Sequence, residues 1–190
     1  IDMSSDIGSY SFEWDNLAYV YAGAQKNMGI PGVSICIGDE KYLNSEDNSR
    51  YLNLGQLVEK NSLLNTPPTF SIYVLKLVTD WMIAEGGINH FEEKSIRQSS
   101  RLYEQLESYG DFVIIPVSDY SKSRSNIIFK FKNEDLEKKF LKEATEKGIL
   151  GLNGHRSQGG IRISLYNSIT DEMVDYLSDY MDKFFADNGK

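Results

Sequence analysis

Residues 66–85 hold a run whose side chains leave almost no polar face, and a helix of that kind dictates a good deal about its surroundings. Pro67 suits a first helical position because it has no amide hydrogen to leave unpaired, and Thr66 before it reads as the side-chain cap. Phe70, Val74, Leu77, Val78, Trp81 and Met82 recur at three-to-four spacing, while Ile72, Tyr73 and Leu75 widen the stripe until most of the surface is apolar. Burial on several sides is therefore expected, and that needs layers of structure around the helix. Gly86-Gly87 ends the run, which puts the expected domain boundary there, with residues 1–87 in a first domain and 88–190 in a second.

The two halves differ in pattern. Residues 17–22 and 32–37 read as short buried strands flanking the glycine-punctuated loop Gly23-Ala24-Gln25-Lys26-Asn27-Met28-Gly29. Past the boundary, a more polar helix from about residue 89 to 108 turns Phe91, Leu102 and Leu106 inward. Residues 112–117 and 126–132 read as strands joined by a turn, and Asn133 caps a helix bearing Leu136, Phe140, Leu141 and Ala144 that stops at Gly148. Two more strand candidates follow at 149–152 and 161–166. A last helix from about residue 171 carries Val174, Leu177, Met181, Phe184 and Phe185 on one side. The expected class is α/β: the end of a large α/β domain, then a small α+β domain whose helices cover one face of a largely antiparallel sheet.

Composition narrows the function. With 190 residues, 41% of them hydrophobic, the chain can bury a sizeable core. A formal net charge of −8 with no basic block argues against binding a phosphate backbone, so no nucleic-acid partner is expected. Cys36, the single cysteine, sits between Ile35 and Ile37 and reads as a buried, inert thiol, with no disulfide framework or metal-type spacing. No apolar run approaches the roughly 18 residues that span a bilayer, and the acidic start lacks a basic leader, so a cytosolic protein away from membranes is expected. The opening Ile1-Asp2-Met3 reads as cut from something longer.

For chemistry the first candidate is Lys26, a lone cation in a Gly/Ala-flanked loop where small neighbours admit a ligand. A buried lysine gives up its proton readily, as amine nucleophiles must. From these residues alone a solvated loop lysine is the favoured reading, since cationic loop residues are common.

The stretch Tyr21-Ala22-Gly23-Ala24-Gln25-Lys26-Asn27-Met28-Gly29, followed by Pro31-Gly32, resembles the cofactor-lysine segment of the phosphoserine aminotransferase family, which is of class V and fold-type I and depends on pyridoxal 5'-phosphate. Asp2-Met3-Ser4-Ser5 is similar to the family segment whose aspartate meets the pyridine nitrogen. Asn65-Thr66-Pro67-Pro68-Thr69-Phe70 resembles the stretch that reaches the cofactor phosphate of the other subunit. Gly154-His155-Arg156 and Gly159-Gly160-Ile161-Arg162 resemble the substrate-binding segment near the family's C-terminus, and Ser123-Arg124-Ser125-Asn126 and Tyr166-Asn167 fall where the family has similar residues. The matches run in order through nearly the whole chain.

This resemblance implies the C-terminal half of such an enzyme, with the N-terminal half absent, working as a homodimer with shared active sites. It implies Lys26 as the catalytic amine, and Asp2, Gln25, Asn65 and Thr66 as cofactor contacts. Arg162 would grip the substrate α-carboxylate with its planar fork, and His155 with Arg156 would bind the substrate phosphate. The implied reaction moves an amino group from glutamate to 3-phosphohydroxypyruvate, giving O-phosphoserine and 2-oxoglutarate in serine biosynthesis, with no metal. A serine–glyoxylate-type aminotransferase would keep Lys26 and Asp2 without the phosphate pair, and a catalytically silent interaction module would need none of them. His90, near a helix start, is assigned no role.

Overall fold

The computed structural model describes residues 1–43, 53–155 and 158–188. Two compact units divide the chain, Ile1–His90 and Phe91–Lys190. Among the described residues no helix is long and apolar enough to cross a membrane.

The first unit is built on two antiparallel strands, β1 (Tyr19–Gly23) and β2 (Ser34–Gly38), with Val20 opposite Ile37 and Ala22 opposite Ile35. Alternation along β1 turns Val20 and Ala22 onto Met3 and Ile7, which form a small core with them. The first residues run parallel to β1, held by Tyr21 N–H to Ile1 O at 3.0 Å and Met3 N–H to Tyr21 O at 2.8 Å. β2 departs from expectation: it is largely exposed, and so is Cys36, whose Sγ accepts a hydrogen bond from Tyr19 OH at 3.0 Å. A two-stranded ribbon offers β2 only one neighbour, so its apolar side chains have little to pack against. Two short helices follow, α1 (Glu40–Leu43) and α2 (Leu54–Glu59), the second capped by Asn53 Oδ1 accepting from Gln56 N–H at 3.1 Å.

The apolar helix is α3 (Thr69–Ala84), and it corrects two expectations. It starts later than Thr66, with Pro68 at the cap position and no side-chain cap bond, because the pair of prolines keeps the preceding backbone extended. Nor is it buried on several sides: Met82 alone is buried, while Phe70 is 71% and Ile83 73% exposed, and Ile72, Tyr73, Leu77 and Trp81 are exposed too. The Lys26 loop docks on its first turn, where Ser71 Oγ donates to Pro31 O at 3.0 Å. A Cβ at Gly32 would stand 2.9 Å from Ser71 Oγ, so the close approach depends on glycine there.

Helix α4 (Gly87–Ser108) leads into the second unit, whose sheet is three antiparallel strands in the order β3 (Val113–Ile114), β4 (Asn126–Phe131), β5 (Ile161–Ser164). The inner face of β4 and β5 presents Ile127, Phe129, Phe131, Ile161 and Ile163. Leu102 and Leu106 of α4, Phe140 and Ala144 of α5 (Glu134–Glu146) and Val174, Leu177, Met181, Phe184 and Phe185 of α6 (Asp171–Asn188) close over it in one core. Asn133 caps α5 as its sequence predicts, accepting from Asp135 N–H and Leu136 N–H. The α/β class with a small antiparallel sheet and helices on one face is therefore what the chain adopts. Residues 149–152 are not a strand: they follow the turn at Gly148 (φ +79°), and Leu152 O, accepting from Arg162 N–H at 2.8 Å, and the bridge of Asn153 with Ile161 attach this segment to β5. β3 likewise shrinks to two residues.

Candidate active site

Lys26 lies in the turn that leaves β1. Its side chain is half-buried, and Nζ donates to Ser5 Oγ at 2.7 Å. Asn27 is buried, and its Nδ2 donates to Ile7 O at 3.1 Å and to Ser5 O at 3.3 Å. Ser4 Oγ accepts from Gly23 N–H at 3.1 Å. These four hydrogen bonds stitch residues 4–7 to the lysine turn.

The same stitching presents Asp2. Its Oδ1 accepts from Ser4 N–H at 2.8 Å. Hydrogen bonds from Ser4 hold the carboxyl below the usual carboxylate range, and the positive charge of Lys26 adds a smaller push in that direction. Asp2 and Lys26 therefore sit within electrostatic reach of each other, although among the described residues no carboxylate pairs directly with Nζ. Asp6, with Tyr10 OH donating to its Oδ2 at 3.2 Å, is pushed upward, chiefly by burial. Gln25 is exposed and folds back over Gly23, where an added Cβ would lie 2.8 Å from Nε2.

Asn65 and Thr66 are exposed and line a different feature of this unit, a cleft of about 410 Å³ shared with Gly32, Val33, Ser34 and Pro67. Asp2 and Lys26 do not line it. The cleft lies where the chain enters α3, beside amides that the missing side-chain cap leaves to other acceptors.

In the second unit, His155 is exposed on a tight loop whose N–H groups at Gln158 and Gly159 donate to its carbonyl, each at 2.9 Å. Gly154 N–H to Gly160 O, 2.8 Å, closes the loop. Backbone passes backbone closely here: a Cβ at Gly154 would stand 2.7 Å from the Gly159 carbonyl carbon, with the oxygen nearer still. Arg156 lies outside the described residues. Arg162 sits on β5 opposite Ile128, on the sheet face away from the helices, half-buried, and among the described residues its buried Nε has no hydrogen-bond partner. A buried guanidinium nitrogen without an acceptor is costly unless something else supplies one. Asn126, on the same face, accepts from Ser164 Oγ at 3.4 Å and Tyr166 OH at 3.3 Å.

A family model described as aminotransferase class-V matches residues 1–177. The chain belongs to the class-V aminotransferase family. It is 43% identical over 190 residues to a phosphoserine aminotransferase of Streptococcus agalactiae, a match that takes in 98% of this chain and 52% of the relative. Among solved structures, the phosphoserine aminotransferase of Bacillus circulans subsp. alkalophilus superimposes with a TM-score of 0.93 at 37% identity, covering 98% of this chain and 52% of that one. A phosphoserine aminotransferase of Trichomonas vaginalis described as PLP-bound follows at a TM-score of 0.88 and 30% identity, over 96% of this chain and 53% of that one. The chain thus spans about half the length of the relatives it matches, and it has the fold of that half of a phosphoserine aminotransferase.

Sequence reasoning passed over Ser5 and Asn27. Ser5 is one of two adjacent serines with nothing to distinguish it from Ser4, and Asn27 looks like any polar loop residue. Only the return of residues 4–7 onto the loop 21 positions later reveals them.

Proposed function

We propose that this chain supplies the catalytic amine and the substrate-binding arginine of a pyridoxal-phosphate-dependent phosphoserine aminotransferase, converting 3-phosphohydroxypyruvate and glutamate to O-phosphoserine and 2-oxoglutarate. The observation that carries the reading is the half-buried Lys26 amine, held by a hydroxyl within electrostatic reach of an ionised Asp2. A carboxylate partner would pin the amine in an ion pair, whereas a neutral hydroxyl holds it by a single bond that it can leave to react.

The residues present fit the cofactor. Lys26 would hold it covalently, Asp2 would face its ring nitrogen and Gln25 would meet its phosphate region, while Asn65 and Thr66 would reach the phosphate of the cofactor in the other subunit. When bound, the group supplies an electron sink for charge developing at the substrate Cα. Lys26 Nζ then moves the proton from that carbon. Arg162 binds and orients the α-carboxylate, which would satisfy its orphaned Nε. His155 and Arg156 bind the substrate phosphate, the feature that separates this reading from a serine–glyoxylate-type enzyme.

In this reading residues 1–87 belong to the cofactor-binding domain and 88–190 to the small domain, in a cytosolic homodimer. The exposed apolar surface of α3 supports a further partner, the half of the enzyme that the relatives possess beyond this match. Residues 1–190 alone accordingly bind cofactor weakly and turn over little, and robust transamination by the isolated chain would contradict this. The decisive experiment is borohydride reduction of the intact protein with pyridoxal phosphate, followed by peptide mapping. Modification at Lys26 is expected; a trapped cofactor on any other lysine, or none, sinks the assignment. Replacing His155 and Arg156 should abolish turnover of phosphorylated substrates only.

A further inference from the structure

We infer that Ser5 is a positioning residue for the Lys26 amine, whose hydroxyl receives Nζ whenever the amine is not covalently engaged; this rests on the catalytic reading of Lys26. The geometry is a two-point grip by consecutive residues. Lys26 reaches the Ser5 side chain, Nζ to Oγ at 2.7 Å, and Asn27 holds the Ser5 main chain, Nδ2 to O at 3.3 Å. Asn27 is anchored in turn: it is buried and its Nδ2 donates to the carbonyl of Ile7, a residue of the small core, at 3.1 Å. Ser4, next in the chain, is fixed to Gly23 N–H at the other end of the turn. The hydroxyl is therefore held by the backbone that carries the lysine, so donor and acceptor keep their separation.

The chemistry of the acceptor matters as much as its place. A long lysine side chain released from a covalent bond has several rotatable bonds and loses direction unless something catches it. Asp2 and Asp6 both lie close enough to sense its charge, and an ion pair with either would tie the amine to a carboxylate. Ser5 instead offers a neutral, single hydrogen bond, strong enough to fix direction and weak enough to release.

The test uses the intact protein freed of cofactor, so that its readout does not depend on catalysis. Lys26 acylation by acetic anhydride is followed over time at fixed pH by peptide mass spectrometry in wild type, Ser5→Ala, Ser5→Thr and Ser5→Cys. Lys26 labelling should quicken several-fold in Ser5→Ala, where the amine loses its hydrogen-bond partner, and Ser5→Thr should restore the wild-type rate. Condensation of added pyridoxal phosphate, followed by absorbance, should slow several-fold in Ser5→Ala and recover in Ser5→Thr. Superimposable wild-type and Ser5→Ala profiles in folded protein overturn the proposal, as does a rate change that Ser5→Thr fails to reverse. If Ser5→Ala does not fold, the near-isosteric Ser5→Cys, a weak acceptor, is read by the same two criteria. Failure of the catalytic reading looks different: wild-type Lys26 is then never trapped by pyridoxal phosphate and borohydride, whatever the labelling profiles show.

Discussion

Replacing Gly154 with alanine sets two physical effects of opposite sign against each other. Gly154 is not among the glycines with positive φ, so its backbone accepts an L side chain, and the usual consequence of Gly→Ala at such a site is about 0.4–1 kcal/mol of stabilisation through the unfolded chain. The surroundings oppose it. An added Cβ would stand 2.7 Å from the Gly159 carbonyl carbon and 2.8 Å from Gly160 O, against an optimum of roughly 3.5–4.0 Å for carbon contacts. The obstacles are backbone atoms, so no rotamer change relieves the overlap. The loop must open, giving up Gly154 N–H to Gly160 O, worth about 0.5–1.5 kcal/mol, and straining the neighbouring Arg162 N–H to Leu152 O bond. Overpacking of this kind costs typically ~1–3 kcal/mol, which exceeds the entropic gain. Gly154→Ala should therefore destabilise by about 1–2 kcal/mol net. Urea unfolding followed by far-UV circular dichroism measures this, and amide exchange at Gly160 and Arg162 should quicken. In the intact enzyme, KM for a phosphorylated substrate should rise, since His155 follows the displaced residue. A variant as stable as wild type, or more so, would refute the close-approach reasoning.

Three further outcomes follow from the second unit. Phe140 is fully buried with ring centroids of Tyr180, Phe184 and Phe131 at 5.0, 5.1 and 5.2 Å, so Phe140→Ala should cost about 3–5 kcal/mol in chemical denaturation. Asn133→Ala, which removes the acceptor for two amides at the start of α5, should cost ~1 kcal/mol by the same measurement. Asp171, at the start of α6, has its carboxyl lowered first by Gln98 (Nε2 to Oδ1, 2.8 Å) and then by Arg97 (2.7 Å). A lowered folded pKa gives stability that is fully present above the ordinary carboxylate value of 3.8 and is lost as pH falls through the folded value. Because Asp171 is half-exposed, the discounted contribution is about 0.5–1 kcal/mol. Asp171→Asn should lower stability by that amount at pH 6–8 and match wild type near pH ~2; an equal deficit at both pH values would rule out the charge.

Local signals in the sequence were strong where one residue type has one physical use. Asn133 ahead of an acidic first turn, Gly148 after the last apolar position and the one-sided spacing of Val174, Leu177, Met181, Phe184 and Phe185 specify α5 and α6, and both form as expected. The same holds for the alternation of β4. Other features depended on what lies across space. Whether the apolar residues of α3 and β2 are covered depends on neighbours distant in sequence, so hydrophobicity alone predicted burial that this chain does not provide. The missing Thr66 cap and the loss of a strand at 149–152 were decided by competing backbone partners. Ser5 and Asn27 carry no local mark at all. They became neighbours of the lysine because residues 1–3 pair alongside β1, which brings the following turn onto a loop 21 residues later; a long-range hydrogen bond has no signature in either segment that makes it.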